Sequence, residues 1–345
     1  MEEAKTREEE AQAQVDIWKY IFGFTEMAVV KCAIELGIAD VLESREGQAM
    51  TLGELSSALG CSPSSLYRIM RFLTNRGIFK QLSGTTYAQT PLSCLLVRNG
   101  EKSMAAFVLL ESSPVMLAPW HHLRERVSAD GPPAFDAAHG QDVWSYAEKN
   151  SAHSKLINDA MSCDARFAVS AIIDGCPQVF EGIGSLVDVG GGDGTALRTL
   201  LKACPWIRGI NFDLPHVVSV TSHCDGVEHV GGDMFDSVPK ADAAFIMWVL
   251  HDWGDDECIS ILKNCREAVP QDTGKVIIVE AVTDGGGEDK LKDVGLMLDM
   301  VMMAHTTRGK ERTSKEWANV LNQAGFSRHT VTRIQAVQSV IEAFP

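Results

Sequence analysis

The chain is short of basic charge. Its 31 Lys and Arg stand against 46 Asp and Glu, for a formal net charge of −15. So acidic a chain is a poor general ligand for phosphate backbones or anionic lipid, although a local basic face is still allowed. Long apolar runs are missing too. The most notable, residues 243–250, has eight residues, against the roughly 20 that a membrane-spanning helix needs. The nine cysteines are odd in number and scattered, and no Cys-x-x-Cys occurs. Reduced, mostly structural thiols are therefore expected. The first ten residues are acidic, without the basic and then apolar stretches of a signal peptide. A cytosolic address is the expectation.

What is present is ordinary globular material. Hydrophobic residues make up 45% and charged residues 22%, which disfavours a disordered chain. The length corresponds to about two domains. Residues 1–12 read as a solvated, frayed tail. From 15 to 38 apolar residues recur at helical spacing until Gly37 interrupts. This stretch is apolar on more than one face, so it is buried or shared with a partner subunit.

Residues 51–96 have their own grammar. Thr51 with Glu54 forms a capping box for a short helix that Gly60 closes. Ser62-Pro63 starts an amphipathic helix with Leu66, Ile69, Met70 and Leu73 inward. Residues 78–82 and 86–90 then read as strand and strand around a Ser83-Gly84-Thr85 turn. Helix, turn, helix and hairpin is the outline of a winged helix. Five basic groups (Arg68, Arg71, Arg76, Lys80, Arg98) face Glu54 alone here, which raises DNA binding as a hypothesis. The competing reading is a dimerisation module, favoured by the acidity of the whole chain. Residues 100–180 read as mostly helical.

From Leu186 strands alternate with helices, the pattern of a parallel sheet covered on both faces. The predicted strands are 186–189, 209–212, 227–230, 243–250 and 275–279. Ligands of such sheets sit at the carboxyl ends of the strands. There Val187-Asp188-Val189-Gly190-Gly191-Gly192-Asp193-Gly194-Thr195 follows a strand and opens a helix. Glycines let the backbone approach a ligand, and the helix start offers free N–H groups. No Gly-Lys-Ser/Thr follows, and Thr195 replaces the third glycine of the strict nicotinamide fingerprint. A nucleoside without pyrophosphate fits better. Asp213 ends the next strand, where a carboxylate can accept from ribose hydroxyls. Asp233 and Met234 close the third, where they could meet an adenine.

The fourth strand ends in Leu250-His251-Asp252-Trp253. His251 is placed for general-base work near neutral pH. A metal cluster with Asp252, Asp255, Asp256 and Glu257 is the alternative, but 255–257 fit better as the acidic first turn of a helix. Glu280 ends the fifth strand, and Glu311 lies in Gly309-Lys310-Glu311-Arg312-Thr313. Either could fix the tautomer of His251 and stabilise its imidazolium.

Taken together, these motifs resemble those of plant S-adenosylmethionine-dependent O-methyltransferases of the caffeate, flavonoid and isoquinoline-alkaloid type. The resemblance rests on 186–192, 211–217, 231–235, 250–253 and 309–313, and the winged-helix region extends it to nearly the full chain. It implies an α/β fold: a Rossmann-like class I methyltransferase sheet with an N-terminal winged-helix dimerisation domain. The implied division is 1–110 for dimerisation, 111–180 for a helical acceptor-pocket region and 181–345 for the catalytic domain. It implies a homodimer whose N-terminal region interlocks with its partner. It implies S-adenosylmethionine held by Gly190, Asp213, Asp233, Met234 and Met247, with no metal. It implies His251 as base, flanked by Glu280 and Glu311, and Met161, Trp144 and Asp164 as acceptor contacts. The acceptor would be a phenolic alkaloid, flavonoid or phenylpropanoid. Two departures stand out: Met247 where the family usually has Lys, and Arg308 where it usually has Gly. Alternatives are an N-methyltransferase on the same scaffold and a non-catalytic winged-helix regulator.

Overall fold

The computed structural model describes residues 2–45, 47–128, 131–219, 221, 223–284 and 291–345. The chain divides into two compact units, Met1–Ser113 and Pro114–Pro345.

The first unit opens on three helices, Glu2–Phe22, Phe24–Leu36 and Ile38–Glu43. The expected frayed tail is helical from Glu2, because its Glu, Ala, Gln and Lys residues are good helix formers. Residue 1 lies outside the described residues. The apolar stretch from 15 onward is split at Gly23 and again at Gly37, which takes φ 76°. Ala33, Ile34, Ile38, Ala39 and Leu42 are buried in the core of this unit. Upstream, Trp18, Tyr20, Phe22 and Phe24 stay exposed, with Tyr20 at 83%.

The winged-helix outline is realised. Strand β1 (Met50–Thr51) precedes the helices Leu52–Leu59 and Pro63–Asn75, and β2 (Lys80–Gln81) and β3 (Thr86–Ala88) follow. They form a small sheet in the order β1-β3-β2. Both halves of the capping box form, Glu54 N donating to Thr51 Oγ1 and Thr51 N to Glu54 Oε2. Leu66, Met70 and Leu73 are buried, as their spacing requires.

The second unit carries a seven-stranded sheet. Its strands are β4 (Ser185–Val189), β5 (Arg208–Asp213), β6 (Val227–Gly231), β7 (Ala243–Met247), β8 (Lys275–Ala281), β9 (Arg328–Arg333) and β10 (Gln338–Phe344). The order is β6-β5-β4-β7-β8-β10-β9. β4 to β8 pair in parallel, whereas β10 pairs antiparallel with both β8 and β9. The sheet is therefore mixed rather than wholly parallel.

Two cores cover its faces, and the alternation of side chains along each strand explains both. Leu186, Phe245, Ile277 and Val279 join one core with the helices Ser151–Gly175 and Thr195–Ala203. Val187, Ala244, Ile246, Val276 and Ile278 join the other, with the helices Asp255–Ala268 and Ser314–Gln323. Burial of each large aliphatic or aromatic side chain contributes about 1.5–3 kcal/mol. The strand order reverses beside β4, so the loops after β4 and β7 flank the crevice where open sheets take ligands.

Two boundaries differ from expectation near that crevice. The apolar run 243–250 is not one strand. β7 stops at Met247, Trp248 takes φ 53°, and a 3-10 turn covers Leu250–Asp252. Glu280 is not the end of β8 but lies within it, paired in register with Ser339 of β10.

Candidate active site

The glycine-rich turn after β4 is shaped by contacts that only glycine allows. Gly190 has φ 73°, and a Cβ there would lie 2.7 Å from Val249 Cγ2. A Cβ on Gly191 would lie 2.2 Å from Asn211 Oδ1. Gly192, by contrast, borders open space. Asp213, at the end of β5, ties the turn down: its Oδ2 accepts from Gly192 N at 2.8 Å and its Oδ1 from Leu214 N at 2.7 Å. Asn211 Nδ2 donates to Gly192 O at 3.0 Å. Burial nonetheless raises the Asp213 pKa against these bonds.

Beneath the turn sits Asp188, buried in β4, whose Oδ2 has no hydrogen-bond partner. Burial and then the charges of Asp213 and Asp193 push its pKa up to about 7. Sequence reasoning did not single it out, although it heads the glycine motif. Buried polar atoms are nearly always paired, so this oxygen is an acceptor open to a further donor.

Asp233 is exposed two residues beyond β6, its Oδ1 accepting from Phe235 N at 2.9 Å. Met234 is partly buried against the core, and Asn264 fixes its backbone by donating to Met234 O and Phe235 O at 2.8 and 2.9 Å. Met247 is half-buried at the end of β7 and packs on the other core.

His251 is 7% exposed. Its Nδ1 lies 2.8 Å from Glu311 Oε1 and 3.9 Å from Glu280 Oε2. In the neutral ring the short contact assigns the proton to Nδ1, which leaves Nε2 as the lone pair that can accept a proton. Nε2 is 3.7 Å from Asp252 Oδ1, beyond hydrogen-bonding distance. Burial alone would favour the neutral ring, but Glu280, Asp252 and Glu311 outweigh it and raise its pKa to about 10. Burial likewise pushes the Glu280 carboxyl up. One oxygen of each glutamate, Glu280 Oε2 and Glu311 Oε2, is buried without a hydrogen-bond partner. The ligand atoms of His251, Glu280 and Glu311 lie within 4.8 Å of one another, but the Nδ1 to Oε1 distance is that of a hydrogen-bonded His–carboxylate pair.

The surrounding backbone is held on several sides. Glu280 Oε1 accepts from Val249 N and Leu250 N at 3.0 and 2.8 Å. Lys310 N donates to His251 O at 2.8 Å. Arg312, which sequence reasoning quoted without giving it a role, is fully buried. It donates to Leu250 O at 3.0 Å, Trp253 O at 2.8 Å and Asp255 Oδ1 at 3.0 Å. Its guanidinium also stands 5.3 Å from the Trp317 ring centroid. Asp255, Asp256 and Glu257 occupy the first turn of the next helix, as their sequence position indicated.

The three acceptor candidates lie on two helices. Trp144 is 48% exposed on the Val143–Lys149 helix. Met161 is half-buried on the Ser151–Gly175 helix. Asp164, on the same helix, is buried, and its Oδ2 accepts from the Trp248 indole and from Gln338 Nε2. Among the described residues the hydrogen bonds thus gather the glycine turn with Asp213, and His251 with Glu311. Asp233, Met234, Met247, Met161 and Trp144 stand outside those two groups.

Residues 120–327 match the O-methyltransferase domain and residues 18–99 the O-methyltransferase dimerisation domain. The chain belongs to the O-methyltransferase family. It is 53% identical to acetylserotonin O-methyltransferase of Arabidopsis thaliana, over 99% of this chain and 94% of the relative. It is 44% identical to flavonoid 4'-O-methyltransferase 5 of Ocimum basilicum, over 98% and 99%. Among solved structures, CalO1, a methyltransferase in calicheamicin biosynthesis in its SAH-bound form, superposes with a TM-score of 0.84 at 25% identity, covering 97% of this chain and 98% of that one. The O-methyltransferase fold is thus a class I methyltransferase sheet preceded by a dimerisation domain. No helix among the described residues is long and apolar enough to cross a membrane.

Proposed function

We propose that the chain transfers a methyl group from S-adenosylmethionine to a phenolic hydroxyl of a small plant aromatic metabolite, with His251 as general base. The relatives support this class of acceptor: one is named for acetylserotonin and one for flavonoids. The observation that carries the mechanism is the buried His251–Glu311 pair at 2.8 Å.

The residues present fit the donor. The open space at Gly192, the close backbone approach that glycine allows at Gly190 and Gly191, and the unpaired Asp188 Oδ2 make a cradle with an unmet acceptor. Backbone of 190–194 would line the donor, Asp213 would accept from its ribose hydroxyls, and Asp233, Met234 and Met247 would border its base and sulfur ends. Bound S-adenosylmethionine supplies an electrophilic methyl on a sulfonium.

The chain then has two tasks. It must place the acceptor oxygen in line, for which Met161 and Trp144 are the proposed apolar contacts. It must also take the phenolic proton. A phenol has a pKa of about 10, and the anionic surroundings of His251 bring its own pKa to about 10. The same anions that raise the His251 pKa therefore favour transfer of the phenolic proton to Nε2. The imidazolium that forms is held by Glu311 at Nδ1 and by Glu280 nearby. A base of this kind contributes about 10²- to 10⁴-fold, and positioning supplies much of the rest.

The enzyme would act as a cytosolic homodimer. Trp18, Tyr20 and Phe24 are exposed within the segment that matches the dimerisation domain, and large exposed apolar side chains grouped on one segment mark an interaction surface. The test is turnover of methyl-labelled S-adenosylmethionine with a panel of plant phenols, reading label transferred to oxygen. No transfer to any phenolic hydroxyl would overturn the reading.

A further inference from the structure

We infer that Trp248 is a positioning residue for His251, anchored by Asp164 and Gln338. The inference rests on the proposed reaction, in which His251 is the base.

Four observations meet at this residue. Trp248 is the one non-glycine among the described residues with left-handed backbone, φ 53°. A bulky residue leaves the favoured regions only where its surroundings over-determine it, and such places cluster at functional sites. The conformation is what ends β7 and turns the chain into the short helix that carries His251. The Trp248 ring centroid lies 4.5 Å from that of His251, with the planes 37° apart. Third, the indole Nε1 donates to Asp164 Oδ2. Fourth, the same oxygen accepts from Gln338 Nε2 at 2.5 Å. Asp164 is 6% exposed and Gln338 is 1% exposed.

These contacts join three elements that are far apart in sequence: the Ser151–Gly175 helix, the first residue of β10, and the turn before His251. Asp164 Oδ2 is the hub, and both of its partners are N–H donors. The indole can neither slide nor flip without losing its one hydrogen bond, and a buried N–H left unpaired is costly. The ring face therefore stays against the imidazole. There it limits the tilt of His251 on one side while Glu311 fixes Nδ1 on the other. An aromatic face also favours the imidazolium once the proton has been taken. Asp164 in this arrangement acts through Trp248 and does not touch the acceptor.

The groups that face His251 are Glu280 from β8, Glu311 from the 309–313 turn, its neighbour Asp252, and Asp164 from the long helix. Any change at Trp248 is read against that fixed set.

The test compares Trp248→Phe, Asp164→Ala and Asp164→Asn in the full-length protein. Phenylalanine keeps a ring but removes the N–H; asparagine keeps an oxygen for both donors. The expected result is that Trp248→Phe and Asp164→Ala each lower kcat by about 10- to 100-fold, with KM for donor and acceptor within about twofold of wild type, since positioning alone is lost. Asp164→Asn restores kcat. The double variant is no worse than either single one, because both break the same contact. An NMR titration of isotopically labelled His251 moves to lower pH in Trp248→Phe, and this readout does not need turnover. Two results overturn the inference: a His251 titration and kcat unchanged in Trp248→Phe, or a rise in acceptor KM with kcat intact in both Asp164 variants, which would make Asp164 an acceptor contact. Absence of any phenol methylation by the wild type would count against the proposed function alone, with the titration still deciding the role of Trp248.

Discussion

Glu311 places its Oε1 2.8 Å from Nδ1 of His251, a residue 60 positions earlier in the chain, and both side chains are buried. That pair sets the tautomer and, on the proposed mechanism, leaves Nε2 to take the phenolic proton. Removing the imidazole should remove the base and little else, because the donor cradle is built from the other strand ends. His251→Ala is expected to lower kcat by about 10²- to 10⁴-fold while leaving the S-adenosylmethionine Kd within about twofold. Calorimetric titration beside a labelled-methyl assay checks both. Full activity in the variant would remove His251 from the reaction.

The same surroundings predict the pH dependence. Burial opposes the charged ring, yet Glu280, Asp252 and Glu311 prevail and raise its pKa to about 10. A base works only when unprotonated, so kcat/KM should rise steadily from neutral toward alkaline pH. Glu311→Gln removes one of the anions that raise the pKa, so its rising limb should shift to lower pH even as its maximum falls. A pH–rate series on both proteins decides this; an identical limb in the variant would mean that Glu311 does not govern the titration.

The placement of the candidate residues was legible in the sequence for a physical reason. In a parallel sheet the strand ends line one edge, so the positions of Gly190, Asp213 and His251 after β4, β5 and β7 could be read from where apolar runs stop. Asp188 and Arg312 were harder, because their importance lies in burial without or with partners, which no spacing encodes. The break at Trp248 was illegible for another reason. The run 243–250 is uninterruptedly apolar, and nothing in a tryptophan announces a positive φ. The antiparallel pair β9 and β10 escaped because β9, Arg328–Arg333, is mostly polar and takes its place from pairing with β10.

Asp213 offers a clean test of the donor site. Its carboxylate already spans Gly192 N and Leu214 N, and charge-assisted hydrogen bonds contribute about 1.5–3 kcal/mol each. Loss of contact to a ribose together with loosening of the loop should weaken S-adenosylmethionine binding by at least about tenfold. Asp213→Ala, titrated calorimetrically, is the measurement. An unchanged Kd would take Asp213 out of the ribose site.

Gly191 tests the cradle itself. An added methyl would sit 2.2 Å from Asn211 Oδ1 and 2.8 Å from Asp188, in a region with no slack. Gly191→Ala should therefore lower Tm by several degrees, as about 1–3 kcal/mol of overpacking implies, and abolish donor binding. Gly53, in the Leu52–Leu59 helix with nothing near its Cβ position, is the control. Gly53→Ala should be neutral or stabilising by about 0.5–1 kcal/mol. Equal Tm values for the two variants in differential scanning calorimetry would refute the cradle.

Arg312 connects stability to catalysis most directly. It is fully buried, and its guanidinium serves Leu250 O, Trp253 O and Asp255 Oδ1 at once. Leu250 and Trp253 lie on either side of His251, so the arginine holds both ends of the segment that carries the proposed base. Asp255 is about one-third exposed, so water screens that ion pair, and the two carbonyls matter more. Lysine cannot replace this fork, since a single ammonium has neither the planar geometry nor the reach to three acceptors. Arg312→Lys should lower unfolding stability by about 1–3 kcal/mol, the cost of leaving a buried carbonyl without its donor. It should also lower kcat more than KM even at temperatures where the variant remains folded, because His251 would lose its fixed position. Urea unfolding gives the first number and assays at low temperature the second. A variant that is destabilised yet fully active when folded would confine Arg312 to packing, whereas loss of both ties the geometry of the base to one arginine.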